Sequence, residues 1–131
     1  MSMSDTKMFY SILNGLLDYL ETSFSKIGDA QDVKKIKKYR LGLELLNKTV
    51  VIQNFHENLK DHSEEIYNRN EEYFLSQNLL DFGATSEVAS DSLRMKDLWN
   101  HSGFGSEGKE TVWESLETLL TLSSNVASMC S

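Results

Sequence analysis

Proline is missing from all 131 residues, where about 5% is ordinary, so no helix interior here carries the clash and lost N–H that proline imposes. A single cysteine, Cys130, excludes a disulfide framework within the chain and agrees with a reducing compartment. Stability therefore has to come from packing. Long apolar runs are also lacking: the longest are three residues, such as Val50-Val51-Ile52, against the roughly 18 that span a bilayer. Membrane insertion is not expected. Met1 to Lys7 is polar, and Asn14, Gly15 and Asp18 interrupt the apolar residues that follow, leaving no signal-peptide core. The expected setting is intracellular, in cytoplasm or nucleus, where the triplets Asn47-Lys48-Thr49 and Asn100-His101-Ser102 carry no glycan.

Positive charge is in short supply overall, with a net charge of −7. It is also uneven: residues 1–55 hold 8 Lys+Arg against 6 Asp+Glu, and residues 56–131 hold 5 against 14. An acidic balance favours solubility and disfavours general nucleic-acid binding, which needs a basic surface.

Apolar content of 40% and a length within the usual size of one domain point to one packed core. The spacing predicts a first helix after Ser4 or Asp5, with Phe9, Ile12, Leu13, Leu16, Leu17, Leu20 and Phe24 on one broad face. Gly28-Asp29 reads as a stop followed by a fresh N-cap. From Ala30 the periodicity resumes towards Leu75 as two stripes, first Val33, Ile36, Tyr39, Leu43, Leu46 and Val50, then Ile52, Phe55, Leu59, His62, Ile66 and Tyr73. Val50 to Ile52 turns a helix by about 200°, so the stripes face nearly opposite sides. We expect one long central helix packing against different elements along its halves; the alternative is a break near the β-branched run Thr49 to Ile52. Asn78 to Ser92 reads as a flexible connector, Leu93 to Asn100 as a short helix, and Ser106 onward as a last helix with Val112, Trp113, Leu116, Leu119, Leu120 and Leu122, fraying over 123–131. The predicted fold is all-α: a single domain over 1–131, built as a bundle of four to five helices.

Chemistry-bearing motifs are incomplete. Gly103-Phe104-Gly105-Ser106-Glu107-Gly108-Lys109 matches G-x-G-x-x-G, but a nucleotide site needs a preceding buried strand, and Leu98-Trp99-Asn100 belongs to a helical pattern. Glu107 also puts a carboxylate where phosphate would sit. The segment reads instead as a C-cap at Gly103, a turn, and an N-cap at Ser106, with Trp99, Phe104 and Trp113 plugging the corner. Asp81-Phe82-Gly83 has none of the other kinase signatures around it. His56 and His62 lie six residues apart, about 120° out of register on a helix, so they share no metal-binding face. No catalytic residue, metal, cofactor or small-molecule substrate is expected.

The sharpest electrostatic feature is Lys34-Lys35-Ile36-Lys37-Lys38-Tyr39-Arg40, which gathers five of the 13 basic residues into seven positions. Lys34, Lys35, Lys37, Lys38 and Arg40 form a candidate basic patch for an acidic protein surface or for phosphate. A solvated outer face, paired with acidic residues of this chain or of a second copy, is the simpler reading. Ile52, Phe55, Leu59, Ile66 and Tyr73 form a second candidate surface, because a helix apolar on opposite sides has more to bury than one neighbour covers.

Asn68-Arg69-Asn70-Glu71-Glu72-Tyr73-Phe74-Leu75, then Leu98-Trp99, then Ser106 through Leu116 form an acidic-aromatic helix end, a short Leu-Trp helix and a Ser-Glu-rich start to a Trp-containing last helix. This succession resembles small uncharacterised all-helical proteins encoded by large nucleocytoplasmic DNA viruses. The resemblance covers about half of the chain and implies a virion or infected-cell setting, without an activity or catalytic residues. Neither the lysine run nor the first helix takes part in it. The expected function is that of a non-enzymatic interaction or structural protein, a component of a viral particle or assembly, binding a protein partner or itself. The alternative is a nucleic-acid-associated regulatory protein using residues 34–40.

Overall fold

Helix α1 (Asp5–Lys26) begins where the Ser4 hydroxyl accepts a hydrogen bond from the Lys7 N–H at 3.3 Å, satisfying one of the donors a helix start leaves open. It ends at Gly28, whose φ of 82° is the left-handed conformation that lets Asp29 N–H bond back to Phe24 O at 2.9 Å and Gly28 N–H to Ser25 O at 3.1 Å. Asp29 then caps α2 (Ala30–Glu44) by accepting from Asp32 N–H at 3.2 Å. In this computed structural model, which describes residues 4–76 and 95–130 with side chains to 126, α3 (Lys48–Leu59) and a 3-10 turn (Lys60–His62) follow. Next come α4 (Ser63–Tyr67), α5 (Glu71–Leu75), α6 (Met95–Trp99) and α7 (Gly105–Cys130). All regular structure among the described residues is helical, as the periodicity predicts.

The long central helix is not formed. The chain turns at Leu45 to Asn47: Leu45 and Leu46 N–H groups bond to Gly42 and Leu43 carbonyls, and the Asn47 side chain accepts from Thr49 N–H at 2.8 Å and Val50 N–H at 3.4 Å. Asn47 is thus a new N-cap, and the break falls ahead of the β-branched run. A second break follows at Asn68 to Asn70, where Arg69 takes φ 54° and Asn70 N–H reaches Glu65 O at 2.9 Å. The longest helix is instead α7, which continues through 123–130 rather than ending at Ser123. The connector 78–92, Asp81-Phe82-Gly83 and the Cys130 side chain lie outside the described residues and side chains.

Helix α1 lies between α2 and α7, and α3 packs on α7. Phe9, Leu13, Leu20 and Phe24 of α1 meet Ile36 and Tyr39 of α2, Ile52, Phe55 and Leu59 of α3, and Val112, Leu116 and Leu119 of α7 in one buried cluster. The turn at Leu45 to Asn47 brings both stripes of the 30–75 segment onto this cluster. Ile52, Phe55, Leu59 and Ile66 are all buried in it, so they are core and not a surface for a partner. Tyr73 is half-buried, and its hydroxyl hydrogen-bonds His62 Nδ1 under the α4–α5 corner.

The glycine segment is a corner between helices. Trp99, Phe104 and Trp113 pack with Phe74, the Trp99–Trp113 pair meeting edge-on at 5.8 Å and the Phe74–Trp113 pair at 5.1 Å. Gly103 is not the C-cap: α6 ends at Trp99, and the left-handed glycine is Gly105, φ 60°, at the first residue of α7. No helix of the described residues is long and apolar enough to cross a membrane.

Candidate protein-interaction face

Successive residues of α2 step by about 100° around its axis, and burial sorts them into two sides. Asp32, Ile36, Tyr39 and Leu43 are buried against α1. Opposite them, Lys34, Lys37, Lys38, Leu41 and Leu45 share the outer side at spacings of three to four residues.

The five-residue basic patch does not act as a unit. Arg40 is drawn inward: its Nη2 donates to Asp18 Oδ1 at 2.6 Å and to Asn14 O at 3.2 Å, and its Nε lies 3.8 Å from Glu21 Oε1. It ties α2 to α1 and is spent on the fold. Lys35 pairs at 3.1 Å with Asp32, a carboxylate with 0% exposure. A buried charge needs such a partner. Lys34, Lys37 and Lys38 are exposed and make no ion pair among the described residues. They remain as the cationic part of the face.

Leu41 is 65% exposed and Leu45 87%. Scattered exposed leucines are ordinary, but these two stand four residues apart on the side that carries the exposed lysines 34, 37 and 38. Neither belongs to the apolar stripe through Val33, Ile36 and Leu43, which is the one that marks the core in the sequence. Their signal was the leftover one, apolar residues in phase with lysines instead of with the core. A helix face of basic residues leading into two aliphatic anchors suits an acidic surface with an apolar depression.

On the far side of α1, the outer side of α7 carries Glu107, Glu110, Glu114 and Glu117, followed by Thr118 and Thr121. Arg69 pairs with Glu110, and with Glu117 at 3.3 Å, and its guanidinium holds the Glu110 carboxyl below the usual range. Glu107 and Glu114 make no ion pair among the described residues. Beyond them Leu122 turns back into the core, so this strip of α7 is polar.

A cleft of about 450 Å³ lies between α1 and the α6–α7 corner. Lys26 and His101 stand at its rim over Tyr19, Leu98 and Phe104. No group of three or more His, Cys, Asp or Glu gathers to hold a metal among the described residues.

No protein-family model, curated protein or solved structure matches this chain.

Proposed function

We propose that this is a non-enzymatic helical interaction protein that docks onto protein through the outer side of α2. The observation that carries this reading is the joint exposure of Leu41 and Leu45 beside three lysines without ion pairs among the described residues. Water gains nothing from two aliphatic side chains held out in phase, whereas a partner that covers them removes apolar area at roughly 25 cal/mol per Å². The resemblance of the C-terminal half to small viral helical proteins supports a role in a viral particle or its assembly, inside the infected cell.

The test is affinity capture of the tagged chain from its native cell at moderate salt, with nuclease present, comparing the wild type with a Leu41→Asp/Leu45→Asp variant. A stoichiometric protein held by the wild type and lost by the variant supports the reading. Equal capture by both removes α2 as the docking face.

Nucleic-acid binding is the second reading, and the lysine run is its motivation. Arg40 and Lys35 are engaged inside the fold, which leaves three cations for phosphate, each worth about one unit of salt slope. A Lys34→Glu/Lys37→Glu/Lys38→Glu variant that keeps its affinity for duplex or single-stranded probes disproves it.

A further inference from the structure

Two separate parts of the chain enclose the cleft of about 450 Å³ beside α1. One wall is the stretch of α1 from Asp18 to Lys26, about 12 Å long at 1.5 Å per residue; the other is Leu98 of α6 with the corner at His101 to Phe104. The volume falls within the roughly 300–1,000 Å³ of clefts that hold small molecules. Its floor is apolar and held in place. Leu98 and Phe104 are buried, and Tyr19 and Ile27 half-buried. The Tyr19 and Phe104 ring centres stand 6.1 Å apart, and Phe104 is fixed further by Trp99 at 5.8 Å and by the close approach of Gly108. A floor already ordered costs a ligand little on binding.

The rim supplies donors. His101 Nδ1 accepts from Gly103 N–H at 3.0 Å, which places the ring proton on Nε2. Lys26, in the last turn of α1, makes no ion pair among the described residues. It is not needed to cap that helix either, because the carbonyls of Ser23, Phe24 and Ser25 already accept from Ile27, Asp29 and Gly28 N–H groups. Thr22 and Ser23 share its side of α1, one turn earlier. Asp18, the one acidic residue of the lining, has its Oδ1 taken by Arg40 Nη2 at 2.6 Å, so Lys26 is the unbalanced charge of the cleft.

We infer that this cleft binds a small organic acid, its carboxylate meeting Lys26 and the His101 Nε2–H and its flat apolar body lying over Tyr19 and Phe104. Charge-assisted hydrogen bonds favour the carboxylate, and the aromatic floor favours a planar body. One fixed cation suits a single negative charge better than the nearly two of a phosphate group. No local pattern in the sequence marks the site, since its walls come from residues about 80 positions apart. The outer side of α2 takes no part in it.

Two-dimensional NMR of the isotope-labelled full chain, titrated with naphthoate and with the neutral naphthamide, tests this. The expected result is saturating shifts of the Tyr19, His101 and Gly103 amide resonances by naphthoate below about 10 mM, with naphthamide at least about tenfold weaker. Lys26→Gln and His101→Ala are exposed changes that leave the floor intact. Each, once its spectrum matches the wild type away from the cleft, is expected to weaken naphthoate about fivefold or more and to leave naphthamide unchanged. The inference is overturned by naphthoate that shifts none of these resonances, by acid and amide of equal affinity, or by naphthoate binding that both substitutions leave untouched.

Discussion

Gly108 lies flat against the ring of Phe104: a Cβ placed there would come within 2.7 Å of Cδ1 and 2.8 Å of Cε1. Phe104 is itself confined, with Trp99 at 5.8 Å and Tyr19 at 6.1 Å between ring centres. A Gly108→Ala side chain therefore has to displace a packed aromatic, at about 1–3 kcal/mol, against about 1 kcal/mol of helix propensity gained. Net destabilisation of about 1 kcal/mol is expected in urea melts. Gly15, in the middle of α1, meets nothing within 4 Å of its absent Cβ, so Gly15→Ala is expected to stabilise by about 1 kcal/mol.

Arg69 holds two roles that a pair of variants separates. Its left-handed backbone, φ 54°, costs about 1–2 kcal/mol for any residue with a Cβ, and its side chain bridges the α4–α5 corner to Glu110 and Glu117 of α7. Arg69→Ala loses the bridge and keeps the strain; Arg69→Gly loses the bridge and releases it. The alanine variant is expected to be the less stable by about 1 kcal/mol, read as the difference in denaturant midpoint at equal slope.

Acid should expose the same bridge. Glu110 has its carboxyl pKa lowered chiefly by the hydrogen bond from Arg69, so its contribution to stability is present above the ordinary carboxyl pKa and fades as pH falls through the lowered value. Glu110→Gln removes that part of the pH dependence. The difference in stability between wild type and variant is expected to shrink from pH 6 to pH 2–3, a small effect since the pair is exposed; a constant difference contradicts the assignment.

At the alkaline end the sensitive group is Tyr10, whose hydroxyl burial pushes its pKa from 10.0 up to about 12. The unfolded chain gives up this proton earlier than the folded one, so stability falls as pH rises from about 10 to about 12. Tyr10→Phe is expected to weaken that fall. At neutral pH it should cost under about 1 kcal/mol, since the hydroxyl's bond to Lys48 O is long at 3.5 Å. Stability of both proteins across the alkaline range checks it.

The buried Trp99 indole N–H donates to Glu71 Oε1 at 2.6 Å, with Lys109 Nζ 3.7 Å from the same oxygen. Glu71→Ala leaves that donor without its acceptor, at about 1–3 kcal/mol; Glu71→Gln keeps an acceptor oxygen and should cost less. A thermal melt followed by tryptophan fluorescence distinguishes the two.

The core of α1 and α7 was legible in the sequence because a 3.6-residue period states which side of a helix is apolar. The cap at Asp29 and the stop at Gly28 are legible for local reasons, while the start of α1 is legible only as Ser4 or Asp5, of which Ser4 is the cap. The turn at Leu45 to Asn47 is not legible, although Asn47 is a good N-cap, because the apolar periodicity on both sides is strong enough to read through it. Arg69 as a helix terminator had no signal at all, since its left-handed backbone goes with contacts to α7, more than 40 residues away.

By itself the sequence determined that the chain is helical, where α1 begins and ends, and which residues of α1 and α7 are buried, all consequences of local propensity and periodicity. Only the tertiary structure decided that Ile52, Phe55, Leu59 and Ile66 are covered by the chain itself, that Arg40 is tied to Asp18, and that Leu41 and Leu45 are left outside. Periodicity specifies the direction in which a side chain points relative to its own helix. What stands in that direction depends on which helices the turns bring together, and that is a matter of packing between residues far apart in the chain.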